Sequence, residues 1–207
     1  MKLFKLINDE EMKNKRIFIF ITILLIMGFI AGTLYITILS DSDKNLIKDT
    51  ITNYFTQIKQ SKLNYNDIFN NATISNIVYV LGIWLLGISI IGLPIIICLV
   101  FYKSFIMGFS ITSIIYKYKF KGILLSFTYS FPYQILNIII TSFISLYAIK
   151  VSLSIVKMMI SKKQINFKRL IKKYFVVLII CLFLSVISSL IEGYVTPNFI
   201  KLFSMFI

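Results

Sequence analysis

The chain has 207 residues, 58% of them hydrophobic and only 14% charged, and it carries a net charge of +14. A water-soluble domain has about a quarter of its residues charged, so this composition excludes a soluble fold and leaves an integral membrane protein. The mean hydropathy of +0.87 agrees, and the positive charge is assigned to anionic lipid headgroups rather than to nucleic acid, for which no soluble platform remains.

Residues 1–16 read as a polar cytoplasmic tail, with Lys2, Lys5, Lys13, Lys15 and Arg16 set against Asp9, Glu10 and Glu11. Residues 17–39 are uncharged and form the first predicted span, too long for a removable signal peptide. Gly28 and Gly32 make a G-x-x-x-G pair on one face of it, where another helix backbone approaches closely. That approach is either inside the monomer or between two copies, and the oligomeric state stays open.

Residues 40–73 form the extracytoplasmic loop, with four Lys and four Asp. Leu46, Ile47, Ile51, Tyr54, Phe55 and Ile58 fall near helical spacing, which predicts a short amphipathic helix. It lies along the membrane, against a partner, or on the chain's own spans. Asn71-Ala72-Thr73 matches a glycosylation sequon, a short pattern common by chance.

From Ile74 to Tyr116 the only charge is Lys103. The run is too long for one crossing, so it divides into a span over 74–100 and a short third segment over 101–116 that either crosses or re-enters. Lys103 reads as the divider, at a membrane surface. Gly92 and Pro94 weaken the helix near the far end of the first part, and Pro94 is expected to kink it. Gly82, Gly87 and Gly92 are five apart, about 140° per step, so they line no single face. Trp84 reads as packing.

Lys117, Lys119 and Lys121 precede a fourth span over 123–149, which holds Pro132 and Asn137. Residues 150–173 form a basic loop with Lys150, Lys157, Lys162, Lys163, Lys168, Arg169, Lys172 and Lys173 and no acid. The fifth span is 174–191, and 192–207 is the C-terminal tail. Five crossings put the tail 1–16 and the basic loop in the cytoplasm and the neutral 40–73 loop outside, in keeping with the positive-inside bias. Lys117, Lys119 and Lys121 then fall outside, against that bias. They become cytoplasmic if 101–116 only dips in and returns. The predicted fold class is an all-α polytopic membrane bundle of about five helices with a Gly/Pro-interrupted central segment, forming one domain.

The chain has no histidine. It has no H-E-x-x-H, G-x-S-x-G or Walker A pattern, and no paired carboxylates within its spans. Cys98 and Cys181 sit in apolar runs and read as small buried hydrophobes. No catalytic residue, metal or cofactor is therefore expected. Ser126 with Ser130 and Ser185 with Ser189 repeat a small-x-x-x-small spacing, and Ser185, Ser188 and Ser189 are expected to bond helix backbone. Glu192 either marks the water boundary or is a buried acid, bonded to backbone or to Lys103, that holds an irregular helix end. The spans show little polar lining, which argues against a transport path.

Several of these residues combine into a pattern. Trp84-Leu85-Leu86-Gly87 leads to Gly92-Leu93-Pro94, then to Phe101-Tyr102-Lys103-Ser104-Phe105 and Gly108-Phe109. Glu192, Thr196 and Pro197 follow near the C-terminus. Together with the basic tail and the Gly28/Gly32 span, this order resembles the stage II sporulation protein M family over nearly the whole chain. The family often has Gly where Ser104 stands, a departure that bears on packing. The resemblance implies a membrane scaffold needed when the mother-cell membrane engulfs the forespore. It implies a place in the cell membrane at the sporulation septum, and two peptidoglycan-degrading partners, stage II sporulation proteins D and P. Structural or packing roles are expected of Gly28, Gly32, Trp84, Gly87, Gly92, Pro94, Lys103, Gly108, Glu192 and Pro197. The alternative is a membrane component of a transporter, because helices broken by Gly and Pro also build transport sites.

Overall fold

The computed structural model describes residues 2–60, 64–161 and 167–204. Among these the chain is helical: α1 Lys2–Ile38, α2 Asp41–Lys59, α3 Tyr65–Gly87, α4 Gly92–Ser161, α5 Phe167–Leu190, a π turn Ile191–Val195 and α6 Thr196–Ser204. Five stretches, 14–38, 65–87, 92–130, 132–160 and 170–202, are long and apolar enough to cross a bilayer. The expected five-helix membrane bundle is the fold observed.

The central run is divided elsewhere than expected. Gly87 ends α3 and Gly92 begins α4, so the break falls at residues 88–91 and not at Lys103. Close packing explains the two glycines. A Cβ at Gly87 would sit 2.8 Å from Ala148, and one at Gly92 would collide with the Leu86 carbonyl. Within the turn, the amides of Ile88 and Ser89 close on the carbonyls of Leu85 and Leu86 at 3.2 and 3.0 Å. The Ser152 hydroxyl, from α4, donates to the Ser89 carbonyl at 3.1 Å. Pro94 is the third residue of α4. Its missing N–H falls where a helix has no use for one, so it starts the helix and does not kink it. Lys103 then lies about three turns inside α4.

α4 is two antiparallel limbs. Lys119 has φ 52° and ψ −127°, outside helical values, and the chain folds back there. Gly122 permits the tight return: a Cβ there would be 2.7 Å from both the Ile114 carbonyl oxygen and the Ile115 Cα. Residues 101–116 are therefore the middle of a limb running from Gly92 to the Lys119 turn.

α1 packs along the first limb in the same direction, and glycines set the distance. A Cβ on Gly28 would lie 2.5 Å from the Phe101 carbonyl oxygen, one on Gly32 would strike the Phe105 carbonyl, and one on Gly108 would strike the Phe29 carbonyl. Ser104 donates to the Leu25 carbonyl at 2.6 Å across the same crossing. The G-x-x-x-G face is thus used inside the chain. Its complement is Ser104-x-x-x-Gly108, so the serine keeps the side chain small and adds a hydrogen bond.

The bundle has two distinct ends. At one, α2, the Lys119 turn and α6 meet in an apolar cluster of Phe55, Ile58, Ile114, Leu125 and Ile200. Phe55 meets Tyr118 edge-on at 5.5 Å and Tyr54 meets Tyr129 at 6.1 Å. Of the placements open for the amphipathic helix, packing on the chain's own spans is the one observed. Its start is capped by Ser40, which accepts from the Asp43 amide at 3.2 Å, with Asp41 and Asp43 in the favourable first turn. At the other end, Trp84 stacks on Tyr174 at 5.7 Å and the Tyr174 hydroxyl donates to the Trp84 carbonyl at 2.8 Å. The beginning of the first apolar span, the last turns of α4 and the start of α5 share that end, through Ile17, Val151 and Leu170. Of the basic loop, Lys162 and Lys163 lie outside the described residues. Between the ends, Ile21, Val80, Ile83, Ile96, Val100 and Ile144 fill the core. Phe18, Ile23, Phe175 and Phe183 point outward, as lipid-facing side chains do.

Candidate functional site: a polar cavity inside the bundle

Little polar lining is expected from the sequence, yet the structure gathers polar side chains from four helical segments around one cavity of about 490 Å³. α3 supplies Asn71, Ser75 and Asn76, the first limb of α4 supplies Lys103 and Ser110, and the second limb supplies Tyr129, Tyr133, Gln134 and Asn137. The π turn supplies Glu192. The expectation failed because these residues are spread over more than a hundred positions and each span alone is overwhelmingly apolar. The signal was one of spacing. Asn71 and Ser75, Lys103 and Ser110, and Tyr129, Tyr133 and Asn137 stand four or seven apart, which puts each set on one face of its helix.

Lys103 anchors the site. Its ammonium donates to Asn76 Oδ1 at 3.4 Å and lies 4.9 Å above the Tyr79 ring. Asn76 Nδ2 donates to Ser189 Oγ at 3.1 Å, and Ser189 Oγ donates to the Ser185 carbonyl at 2.9 Å. A continuous set of hydrogen bonds therefore links α4, α3 and α5. Tyr79 is itself fixed, donating to the Leu99 carbonyl at 3.0 Å. This network explains how a lysine is held well inside an apolar bundle, where an unpartnered charge is very costly.

Glu192 reaches the cavity because the helix widens. The π turn Ile191–Val195 inserts an extra residue per turn, and Thr196 Oγ1 donates to the Ile191 carbonyl at 3.1 Å, five residues back. Two local features accompany the widening. Pro197, buried in the first turn of α6, has no N–H for a normal i−4 bond. Gly193 lets α3 approach, since a Cβ there would be 2.9 Å from the Phe69 Cβ. The irregular helix end considered for Glu192 is present. No hydrogen bond or ion pair joins Glu192 to Lys103; they face the same cavity across a gap. π turns recur at functional sites.

The remaining sequence-chosen residues lie away from the cavity. Gly28, Gly32 and Gly108 form the α1–α4 crossing, whereas Trp84, Gly87, Gly92 and Pro94 build the turn at the opposite end. Among the described residues, no three His, Cys, Asp or Glu side chains are placed to hold a metal ion.

The family model for stage II sporulation protein M matches residues 19–197, a stretch containing the whole cavity, the glycine crossing of α1 with α4 and the α3–α4 turn. The chain belongs to the stage II sporulation protein M family. It is accordingly a membrane protein of a sporulation family. No curated protein and no solved structure matches it. In this member of the stage II sporulation protein M family, Gly87, Gly92 and Pro94 build the α3–α4 turn and Lys103 serves the cavity, although the sequence reads them as one broken segment.

Proposed function

We propose that the protein is a membrane scaffold of sporulation that acts during forespore engulfment, holding peptidoglycan-degrading partners at the septal membrane of the mother cell. In this reading stage II sporulation proteins D and P are those partners, and they supply the catalysis. The observation that carries the reading is the cap made by α2, the Lys119 turn and α6. These segments are packed into one apolar cluster and are not loose connections. The cap still presents large apolar side chains at Leu46, Phe120 and Leu202, exposed by 69%, 87% and 58%. An ordered surface with exposed apolar anchors is what partner capture requires. Positive-inside orientation turns that surface toward the wall.

The test is co-purification from membranes of sporulating cells. The tagged wild-type protein should retain both partners. Leu46→Asp with Phe120→Asp should lose them at normal membrane level, because both side chains are exposed and support no core. Failure of the wild type to retain either partner would contradict the scaffold.

A second reading, a transport component, is favoured by one observation: the polar cavity. It predicts that Lys103→Met abolishes solute movement while partner retention stays normal. Loss of partners in that variant, at normal membrane level, would count against it.

A further inference from the structure

We propose that the bundle binds a membrane lipid whose headgroup is zwitterionic and ends in a primary ammonium, with the head in the Lys103–Glu192 cavity and an acyl chain beneath α2. The cavity is bipolar. At one side the Lys103 ammonium has three N–H groups and donates to one acceptor, Asn76, so it keeps donors for an anionic oxygen. At the other side Glu192 has no hydrogen-bonded partner among the described residues, and Gln134 Oε1 is buried with none. Two acceptors beside the rings of Tyr129 and Tyr133 suit a group that is all donor and cationic, which describes an ammonium. One ligand carrying both charges answers both sides; a plain anion would leave its charge facing Glu192.

The apolar part of the ligand follows from a neighbouring cavity. A second space of about 310 Å³ lies between α2 and α4, walled mainly by Ile47, Ile51, Phe55, Phe109 and Ile114. Ser110 and Tyr129 line both spaces, so the polar chamber adjoins the apolar one. A free polar solute has no use for the second chamber, and a hydrocarbon has none for the first. An amphiphile fills both, and both volumes fall in the range of about 300–1,000 Å³ usual for ligand sites. Burying one chain under α2 also gives this helix a reason to sit over the first limb rather than on the bilayer.

The test uses the full-length protein purified in detergent and read by thermal shift and native mass spectrometry. The probes are phosphatidylethanolamine, phosphatidylglycerol and free phosphoethanolamine. Phosphatidylethanolamine should stay bound and raise the melting temperature, with phosphatidylglycerol at least about tenfold weaker and phosphoethanolamine without effect. Glu192→Gln should abolish the preference between the two lipids, and Ile51→Trp, which fills the apolar chamber, should weaken both. Equal binding of the two lipids by the wild type, or a preference that survives Glu192→Gln, would overturn the proposal. So would phosphoethanolamine stabilising as well as the lipid, which would make this a solute site. Should Glu192→Gln fail to fold, a phosphatidylethanolamine with a photoreactive acyl chain decides on the wild type. Crosslinks at Ile47–Phe55 or Phe109–Ile114 are expected, and crosslinks confined to the outer faces of α1 and α5 would overturn it.

Discussion

Individual glycines in this chain are not equivalent, and their surroundings say how each should respond to change. At Gly32 the obstacle to a methyl group is the backbone of Phe105 and Phe109, which has nowhere to go, whereas a methyl at Gly82 meets nothing within 4 Å. Gly32→Ala should therefore destabilise by about 1–3 kcal/mol, the usual range for overpacking. Gly82→Ala should be neutral or stabilising by up to about 1 kcal/mol, through helix propensity. Thermal melting in detergent distinguishes the two. Lys119 offers a case of the opposite sign. Its φ of 52° places a side chain in a region natural to glycine. Lys119→Gly removes strain of about 1–3 kcal/mol and adds about 0.4–1 kcal/mol of unfolded-chain entropy. The expected outcome is a higher melting temperature, and a lower one would mean that the lysine side chain contributes to the turn. The Gly28/Gly32 face was legible from spacing alone. Its partner was not, since Ser104 and Gly108 qualify only once the crossing exists. Lys103 was misplaced for a related reason. A lone charge in an apolar run looks like a boundary until Asn76 and Tyr79, from another helix, are seen beside it.

Helices were easier to read than their breaks. The five apolar stretches stand out because no soluble core needs so much hydrocarbon, and the amphipathic spacing of α2 is plain. The breaks depended on three dimensions. Pro94 signals disruption in sequence, but a proline in a first turn is harmless, and the true division needed Gly87 pressed on Ala148 and Gly92 on Leu86. The π turn at Glu192 left only the faint trace of Gly193 and Pro197. The tight return at Lys119 left Gly122 as its mark. The placement of α2 on the bundle makes a prediction at this scale. Phe55 is 5% exposed and belongs to the cluster joining α2 to α4 and α6. Phe55→Asp buries a charge without a partner, so α2 should detach. Hydrogen exchange should rise in 41–59 and 196–204 while staying unchanged in 14–38. Unchanged exchange in α2 would mean that the helix is held by something other than this cluster.

For the molecule as a whole, the scaffold reading depends on α2, the Lys119 turn and α6 sharing one end of the bundle, with the end of α4 and the start of α5 at the other. The sequence left this open because Lys117, Lys119 and Lys121 argue for the cytoplasmic side by charge, while the count of crossings argues against it. The fold resolves the arrangement through packing: Phe55, Leu125 and Ile200 cannot meet unless the turn and both short helices lie together. The direct measurement is labelling of single cysteines in intact cells with a membrane-impermeant reagent. The background is Cys98→Ser with Cys181→Ala, and the positions are Asn53→Cys on α2, Phe120→Cys at the turn and Lys157→Cys near the end of α4. All three native side chains are exposed. The account predicts that positions 53 and 120 label from outside and that 157 labels only after the membrane is opened. Position 120 behaving like 157 and unlike 53 would contradict it.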